Sequence, residues 1–512
     1  MKLKCILPAF LLLTALAAGA QNNPFVWVKD IPFEISAQCT DESDNIYIAG
    51  AFRDTILLEN YSLVAAALDM ILCKYDSSGQ LVWYRQFGGP DEDFNTDLEC
   101  APNGDLVVTN GFNRNTLYYG DTIVAGANSH GAILMKLSSY GDLIWYNVPV
   151  FNNNGCIHIF SSATGPDGEV LLEGNIQWGN AIFTDTILPS YGTIPGFVAY
   201  YEPDGSFRWA RKVNIYNKRT AIDADGNVII AQSQIYKLSA DSITIWQRIA
   251  GISFYETIGG GLDTDSASYI SVACRNERPF FVDQDTVASG SDEYFLWVRL
   301  DPDGHPVMTK TGSSPFEVRP ADVSIRNDRV FITGTFRDRL RFSSDSLVSV
   351  TDQLYNSFIV KYDLAGNEIS FAMIDGVSGS KATLISASKS IYVSGETLSD
   401  TLKLGNLMML GDPSDYRHYF LARMRDEVYQ PLYAQEDLIL YPNPVQSALN
   451  VVLPSSASGT IVEILSPRGR RIFYSRPEGR QLQIDVSAYP EGVYLLRMIS
   501  DEHTITKKFV RL

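Results

Sequence analysis

The chain has 512 residues, of which 59 are acidic and 41 are basic, and its formal net charge at pH 7 is −18. The segment from Glu436 to the end contains nine basic and eight acidic residues, so the acidic excess lies in the body of the chain. A surface of that sign repels phosphate backbones, which argues against nucleic acid as a partner.

Residues 1–20 have the layout of a secretory signal. A basic start at Lys2 and Lys4 precedes an apolar run from Cys5 to Ala18, and the small residues Ala18-Gly19-Ala20 follow. This pattern predicts cleavage after Ala20. The apolar run is shorter than the ~20 residues that a spanning helix needs, so no membrane span is predicted.

One phrase recurs through the body: an apolar strand, a tight turn and a strand that carries Trp. The copies are Cys73–Trp83, Met135–Trp145, Tyr200–Trp209 and Tyr236–Trp246, with weaker copies at Val298–Met308 and Val360–Ser370. The turn position falls at Gly79, Gly141, Gly205, Ser242, Gly304 and Gly366. A recurrence of this kind indicates one supersecondary unit copied in series.

Each unit also contains an earlier Asp/Asn/Gly turn followed by a β-branched run, as in Asp41–Phe52 and Ala101–Phe112. Between this run and the Trp phrase lies an excursion that begins with Asp-Thr or Asp-Ser. The fourth unit, residues 219–251, omits the excursion, so four strands are the irreducible part. These features predict an all-β protein whose residues 21–433 form a seven-bladed β-propeller. The units resemble the seven-bladed β-propeller repeats of secreted bacterial proteins.

The two ends of the repeat region complement each other. The seventh unit, residues 378–433, has no closing Trp strand, whereas Pro24–Ile31 has the features of a closing strand with Trp27 and nothing before it. We therefore expect the N-terminal strand to complete the seventh blade, which would close the ring and remove open sheet edges.

A different pattern begins near residue 434. Alternating strands with Gly and Pro turns over residues 434–512 predict a small β-sandwich. Its motif residues are Tyr441, Pro442, Asn443, Pro444, Gly469, Arg470, Gly492, Tyr494, Lys507 and Lys508. In this order they resemble the type A C-terminal sorting domain of the type IX secretion system of Bacteroidota. The resemblance implies that the type IX machinery is a partner and that the protein is secreted or displayed on the outer-membrane surface. An accessory carbohydrate-binding sandwich is the alternative.

Five cysteines follow the predicted signal: Cys39, Cys73, Cys100, Cys156 and Cys274. Because the chain is long enough to bury a core and most of these residues lie in apolar strand patterns, we expect buried thiols. A Cys39–Cys100 bridge between neighbouring units is the alternative, since the two positions nearly coincide when the units are aligned.

Few residues suggest chemistry. No histidines have metal-ligand spacing, no nucleophile or phosphate-binding motif occurs, and no cofactor is predicted. Asp223-Ala224-Asp225-Gly226 and Asp301-Pro302-Asp303-Gly304 contain calcium-type carboxylates, but further ligands are missing and tight turns with Gly in the left-handed conformation explain them. A pair of carboxylates at the ring centre, as in some propeller glycosidases, is the enzymatic alternative.

An enriched pattern, Asp followed by Ser or Thr and an aliphatic residue, resembles the acceptor motif for O-glycosylation in Bacteroidota. The acceptor residues are Thr55, Thr122, Thr186, Ser242, Ser266, Thr286, Ser346 and Thr401. Duplication of an Asp-Thr turn with the repeat explains the pattern equally well. The leading functional hypothesis is a non-enzymatic surface or secreted protein that binds a glycan or protein on its propeller. The alternatives are a glycan-acting hydrolase or lyase, and an adhesin or structural surface component.

Overall fold

The computed structural model describes residues 25–512 with internal gaps. The gaps are 91, 113–116, 120–121, 126–130, 191–195, 214–219, 232–233, 250–259, 277–279, 283–284, 289–292, 327, 343–345, 349–354, 375–383, 388–389, 398–400, 405–406, 411–416, 426–437, 442–444, 454–459, 467–469, 478–480 and 500–503. The predicted signal, residues 1–20, lies outside the described residues. All regular elements in the described part are β-strands, which confirms the all-β prediction.

The strands of the body are short and mostly joined by tight turns. They are β1 (Phe25–Ile31), β2 (Glu34–Thr40), β3 (Ile46–Leu58), β4 (Tyr61–Tyr75), β5 (Leu81–Gly88), β6 (Asp93–Cys100), β7 (Leu106–Phe112), β8 (Leu117–Tyr119), β9 (Thr122–Ala125), β10 (Gly131–Leu137), β11 (Leu143–Asn147), β12 (Val150–Thr164), β13 (Val170–Phe183), β14 (Thr186–Pro189), β15 (Gly196–Tyr201), β16 (Phe207–Val213), β17 (Thr220–Ile222), β18 (Val228–Ala231), β19 (Gln234–Leu238), β20 (Thr244–Ile249), β21 (Gly260–Thr264), β22 (Ile270–Asn276), β23 (Phe280–Val282), β24 (Asp285–Ala288), β25 (Glu293–Leu300), β26 (Pro306–Ser314), β27 (Glu317–Arg326), β28 (Arg329–Arg337), β29 (Arg339–Arg341), β30 (Ser346–Val348), β31 (Tyr355–Asp363), β32 (Glu368–Ile374), β33 (Leu384–Ala387), β34 (Ser390–Thr397), β35 (Thr401–Leu404), β36 (Leu407–Leu410) and β37 (His418–Arg425).

Within the described residues these strands form seven antiparallel sheets, each with a path of four strands. We number the sheets along the chain, and their paths are β2-β3-β4-β5 (sheet 1), β6-β7-β10-β11 (sheet 2), β12-β13-β15-β16 (sheet 3), β17-β18-β19-β20 (sheet 4), β21-β22-β25-β26 (sheet 5), β27-β28-β31-β32 (sheet 6) and β33-β34-β37-β1 (sheet 7). This arrangement is propeller-like, because each sheet is one copy of the sequence repeat.

The N-terminal strand lies at the outer edge of sheet 7. Strand β1 pairs antiparallel with β37, so that Trp27 is opposite Arg423 and Ile31 is opposite Tyr419. The first strands of neighbouring sheets contact one another in order from β2 to β33, and β33 also contacts β2. The first and last sheets are therefore neighbours.

The six turn positions of the Trp phrase share one backbone conformation. Gly79, Gly141, Gly205, Gly304 and Gly366 have φ between 78° and 86°, and Ser242 has φ 64°. Five of the six are Gly because a Cβ disfavours this left-handed region. Ser242 occupies the same position in sheet 4, so the shortened fourth unit keeps its closing turn.

The excursions form β-hairpins or extend existing strands. The hairpin β8–β9 belongs to the second unit, yet it pairs with β5 of sheet 1, and β29–β30 of the sixth unit likewise pairs with β26 of sheet 5. In the fourth unit only two residues separate β18 from β19. These two excursions therefore lie against the outer strand of the preceding sheet, whereas β14 of the third unit pairs with β13 of its own sheet.

The cysteine prediction is wrong for one pair. Cys39 at the end of β2 and Cys100 at the end of β6 form a disulfide, with their Cα atoms 5.6 Å apart. The first strands of sheets 1 and 2 pack side by side, which brings equivalent positions of successive units together. Cys73 is a buried free thiol, as expected, and burial raises its pKa.

The C-terminal segment forms two further sheets. Their strands are β38 (Ile439–Tyr441), β39 (Ala448–Val452), β40 (Ile461–Leu465), β41 (Arg471–Ser475), β42 (Gln481–Asp485), β43 (Gly492–Ile499) and β44 (Thr504–Arg511). The sheets, β38-β39-β42 and β41-β40-β43-β44, share one apolar core that includes Leu449, Ile464 and Tyr494. Two sheets around a single core are the arrangement expected of a small sandwich.

Candidate functional site

The repeated Trp joins each sheet to the next. Its indole Nε1 donates a hydrogen bond to a main-chain carbonyl in the Trp-phrase turn of the following sheet, over 2.7 to 3.2 Å. The pairs are Trp27 with Ser77, Trp83 with Ser139, Trp145 with Pro203, Trp209 with Ala240 and Trp246 with Pro302. Met308 takes the Trp position in sheet 5 and lies against Gly366. The repeated residue is therefore a packing element.

A second residue, two positions after the Trp, binds the same turn. Arg85 Nε donates to Gly141 O at 3.2 Å, and Asn147 Nδ2 donates to Gly205 O at 2.8 Å. Arg211 donates to Ser242 O at 3.3 Å. This contact was not predicted from the sequence, although a basic or amide residue recurs two positions after the Trp.

A buried or half-buried cation lies in the third strand of several sheets. Each cation pairs with a carboxylate in or next to the first turn of its own sheet. The pairs are Lys74 with Asp41, Lys136 with Asp105, Lys237 with Asp223 and Arg299 with Asp265. Each cation also donates to a main-chain carbonyl in the next sheet. Through these contacts the cations hold neighbouring sheets together. The Lys of the repeated Lys-x-Asp phrase is the sequence feature from which the contact could have been predicted.

Two carboxylates on first strands also serve as acceptors between sheets. Asp97 Oδ2 accepts from the backbone N–H of Ser162 at 2.7 Å, and Asp263 Oδ2 accepts from that of Ile325 at 2.7 Å. Burial raises the pKa of Asp263, while the charge of Arg326 and the hydrogen bonds oppose that rise. Each of the two carboxylates therefore holds a strand of the neighbouring sheet.

The Asp-x-Asp-Gly segments form the turns expected of them. Asp223 Oδ1 accepts from the backbone N–H groups of Asp225 and Asn227, and Asp301 Oδ1 does the same for Asp303 and His305. Asp223 Oδ2 also lies 2.8 Å from Lys237 Nζ. Among the residues whose positions are described, no group of three or more His, Cys, Asp or Glu could hold a metal ion.

The predicted acceptors for glycosylation lie mainly in hairpins. Thr122, Thr186 and Ser346 each begin the second strand of an excursion, Thr286 lies second in β24, and Thr401 begins β35. Thr55 is exposed in β3, whereas Ser242 and Ser266 are in turns. These positions differ in exposure, with Ser266 exposed and Thr186 and Ser242 half-buried. Glycosylation at them stays a prediction.

The predicted sorting residues fall at different depths in the C-terminal sheets. Pro442, Asn443, Pro444 and Gly469 lie outside the described residues, and Tyr441 ends β38. Tyr494 is buried and stacks on Phe509, while its hydroxyl donates to Pro490 O at 2.6 Å. Lys508 and Arg470 are exposed, Lys507 is half-buried, and Gly492 begins β43. Tyr494 is therefore a core residue of the segment.

One junction between sheets lacks a feature that the others have. We call the apolar layer between two neighbouring sheets a wedge. Excursion residues belong to the wedges 7/1, 1/2, 2/3, 6/7 and 5/6, examples being Leu63, Tyr119, Leu188, Leu402 and Leu347. In the 4/5 wedge, the excursion strand β23 contacts β20. No described excursion residue lies in the 3/4 wedge, because the fourth unit has no excursion.

Two described residues that line the 3/4 wedge are less buried than their counterparts in other sheets. Val213, at the end of β16, is half-buried, whereas Phe87 at the same position of β5 is buried under Tyr119. Tyr236 is also half-buried, whereas its counterparts Cys73 and Met135 are fully buried. Gln234 Oε1 accepts hydrogen bonds from the Tyr236 hydroxyl and from Gln247 Nε2. This wedge combines apolar and amide groups at an accessible position.

Known proteins resemble parts of this chain. Residues 439–511 match the family model described as "Secretion system C-terminal sorting domain". The C-terminal segment is a type IX sorting tail. This tail indicates that the chain is a secreted or cell-surface protein that interacts with the type IX machinery. The family model covers the tail and leaves the body unassigned.

No curated protein matches the chain. Among solved structures, the WD40 domain of Neurospora crassa Pan2 is 8% identical with a TM-score of 0.39, covering 76% of this chain and 89% of that one. A Dyadobacter fermentans protein of unknown function is 11% identical with a TM-score of 0.31, covering 78% and 99%. Trypanosoma rangeli sialidase is 8% identical with a TM-score of 0.30, covering 94% and 85%. Similarity this low assigns no activity to the body.

In the part of the chain that the structure describes, no helix has the length and apolar character of a membrane span.

Proposed function

We propose that this chain is a type IX-exported protein whose body is a closed seven-bladed β-propeller that binds or scaffolds a partner and catalyses no reaction. The export step rests on the sorting tail at residues 439–511. Ring closure is supported by the pairing of β1 with β37 and by the contact between β33 and β2. In a closed ring, the first blade packs against the last, so that no blade at either end of the row stays uncovered. Each blade then presents a loop on the same face of the ring.

The observation that carries the non-enzymatic part is the role of four carboxylates on or beside the first strands. Asp97, Asp223, Asp263 and Asp265 each accept from a backbone N–H or pair with a cation. A general acid or nucleophile needs a carboxylate that faces substrate. These four groups instead hold turns and sheets together, so their chemistry serves the scaffold.

A binding screen combined with turnover assays tests the proposal. The full chain, recovered from the medium or cell surface of its host, is presented to arrays of glycans and surface proteins, and is incubated in parallel with a polysaccharide panel. We expect binding without turnover. Polysaccharide cleavage would contradict the proposal and favour the hydrolase or lyase. Loss of cell adhesion in a deletion strain, without any ligand on the arrays, would favour the adhesin.

Export is tested separately. A chain that lacks residues 439–511 should stay inside the outer membrane, whereas the full chain should appear in the medium or on the surface, as immunoblots of the two fractions would show. Equal external amounts of both proteins would contradict type IX export through this tail. Whether the body is released or anchored is read from the same fractions.

A further inference from the structure

We propose that the tail docks on the type IX machinery through the outer side of its four-stranded sheet, and that the partner presents an acidic protein surface. We call this side the outer tail face, and it is the side of β40, β41, β43 and β44 that carries Glu463, Tyr474, Val493 and Arg497. The inference rests on the export step of the proposed function, for which it names the docking surface and the chemistry of the partner.

Strand alternation and register define the outer tail face. In β43, Leu496 belongs to the tail core, so Val493 and Arg497 point to the opposite side of the sheet. Val493 is 49% exposed there. Arg497 is opposite Glu463 of β40, and Glu463 is opposite Tyr474 of β41. Because directly opposite residues of antiparallel strands lie on the same side, one row of outward side chains crosses three strands.

Cations outnumber carboxylates in the described part of the outer tail face. Glu463 is 4% exposed, and its carboxylate oxygens lie 2.6 Å from Arg497 Nη2 and 3.5 Å from Arg471 Nη1. Two guanidinium groups therefore surround a single carboxylate group. Lys508 of β44 is exposed on the same side of the sheet. The face as a whole is positively charged.

Tyr474 is an exposed aromatic residue that its neighbours hold in place. The residue is 47% exposed, the Arg471 guanidinium lies 5.2 Å from its ring centre, and Arg476 Nε donates to its hydroxyl at 3.1 Å. The preceding residue, Phe473, packs against the tail core, so Tyr474 belongs to the outer side of the sheet. A tyrosine that is already fixed loses little conformational entropy when a partner covers it.

The outer side of the other tail sheet has a different character. Gln483 and Asp485 of β42 are exposed there, and Gln483 Nε2 donates to Asn450 Oδ1 of β39 at 3.1 Å. That side offers amide groups and a carboxylate, whereas the outer tail face offers a tyrosine, arginines and an exposed valine. Tyrosine and arginine are enriched among the residues that contribute most to protein–protein binding. The outer tail face is therefore the side that suits a protein partner.

The sign of the outer tail face determines the chemistry of that partner. Arginines at an interface are favourable where the facing surface supplies carboxylates, and a surface of like charge is repelled. Leu495 lies between Val493 and Arg497 along β43 and is half-buried, so it adds apolar area near the middle of the face. The matching surface is thus acidic with an apolar centre.

The test measures export of the full chain in its host. The variants on the outer tail face are Tyr474→Ala and Val493→Glu. The matched control is Gln483→Glu, which adds the same charge at an exposed position on the outer side of the other tail sheet. Immunoblots compare the amount in the medium and on the surface with the amount retained inside the outer membrane. Denaturant unfolding of each purified full-length variant verifies that it folds.

We expect the external amount of Tyr474→Ala and of Val493→Glu to fall at least about tenfold, because the first variant removes an aromatic anchor and the second places a carboxylate against an acidic partner. Gln483→Glu should be exported like the parent. Export of the two face variants at the parent's level would overturn the inference, and so would an equal loss for Gln483→Glu.

Crosslinking decides the matter if a face variant fails to fold. An aromatic photo-crosslinking side chain is placed at residue 474 of the full chain and, as the control, at residue 483. We expect residue 474 to crosslink to a protein of the type IX machinery, as mass spectrometry would identify it, and residue 483 not to do so. Crosslinks from residue 474 to lipid alone, to a second copy of this chain alone, or to nothing would overturn the inference.

The outcome is separable from that of the proposed function. If the chain without residues 439–511 stays inside the outer membrane while Tyr474→Ala and Val493→Glu are exported, type IX export stands and only the docking surface is rejected. If the chain without the tail is exported like the full chain, the export step itself fails. Neither result bears on whether the body binds a ligand or turns over a polysaccharide.

Discussion

The indole Nε1 of Trp27 donates a hydrogen bond to the main-chain carbonyl of Ser77 over 3.1 Å. Trp27 belongs to the N-terminal strand in sheet 7, and Ser77 lies in a turn of sheet 1. The same ring packs on Gly79, where a built Cβ would come within 3.0 Å of it. This contact joins the first and last sheets of the body by the device that joins the others.

Replacing Trp27 with Ala should lower the free energy of unfolding by about 2 to 4 kcal/mol, because a half-buried indole and one hydrogen bond are lost. Trp27→Phe should cost less, since it keeps most of the packing. Denaturant unfolding measures both, with Val307→Ala on an exposed site as the control. A loss of stability for Trp27→Ala no larger than that of the control would contradict a structural role for the first strand.

Two glycines separate backbone strain from the Trp contact. Gly205 and Gly104 have nearly equal φ values of 86° and 85°, but a Cβ on Gly205 would lie 2.6 Å from the Trp145 ring, and one on Gly104 meets nothing within 4 Å. Gly104→Ala should lower the free energy of unfolding by about 1 kcal/mol, because it places a Cβ in the left-handed region. Gly205→Ala should cost clearly more, as thermal or denaturant unfolding would show. Equal costs would mean that the ring moves aside freely.

The Cys39–Cys100 bridge predicts that the protein is less stable when the disulfide is reduced or removed. It closes a loop across 61 residues between sheets 1 and 2, so the Cys39→Ser/Cys100→Ser variant should lose about 3 kcal/mol of unfolding free energy. Peptide mapping without reduction should recover the linked pair. Alkylation of the denatured, unreduced protein should label Cys73, which is a free thiol. Labelling of Cys39 in the same sample would disprove the bridge.

Stability should fall in acid partly through Asp41. Burial opposes ionisation of this carboxyl, but hydrogen bonds from Asn45 and Tyr47 and the charge of Lys74 hold its pKa below the usual value of 3.8. A group whose pKa is lowered by folding stabilises the protein above the unfolded-state pKa, and this contribution disappears as pH falls through the folded-state value. The decline begins near pH 3.8.

The measurement compares denaturant unfolding of the parent and of Asp41→Asn at a series of pH values. Because Asn does not ionise, we expect the variant to be less stable at neutral pH and to decline less steeply in acid. Parallel curves for the two proteins would show that Asp41 makes no pH-dependent contribution. Asn45→Ala, which removes one donor and keeps the carboxyl, should lie between them.

The sequence predicted local features well, because each repeat contains the residues that determine its own turns and strands. The turn at Ser242 was assigned from its place in the repeated phrase Tyr236–Trp246, and its positive φ places it in the same left-handed region as the Gly turns. Strand β1 was expected in the seventh unit from one unpaired Trp phrase, and it pairs with β37. Turn geometry and strand pairing within a unit depend on residues close in sequence or in phase with the repeat.

Contacts between units were harder to predict. The hydrogen bonds of Lys74 and Arg85 in sheet 1 to Ser139 and Gly141 in sheet 2 join residues that no single repeat explains, since the two partners belong to different sheets. For the same reason, the Cys39–Cys100 bridge was only the alternative to the expected buried thiols. Only the side-by-side packing of β2 and β6 brings Cys39 to Cys100.

By itself the sequence determined the all-β class, the repeating unit with its turns, and the sorting tail, because these follow from hydrophobic alternation, left-handed turn positions and a motif read in order. The tertiary structure decided which sheets are neighbours, which excursions pair with the preceding sheet, and which residues form each apolar layer between sheets. Those properties depend on packing between sheets, where a residue's neighbours come from another unit of the chain.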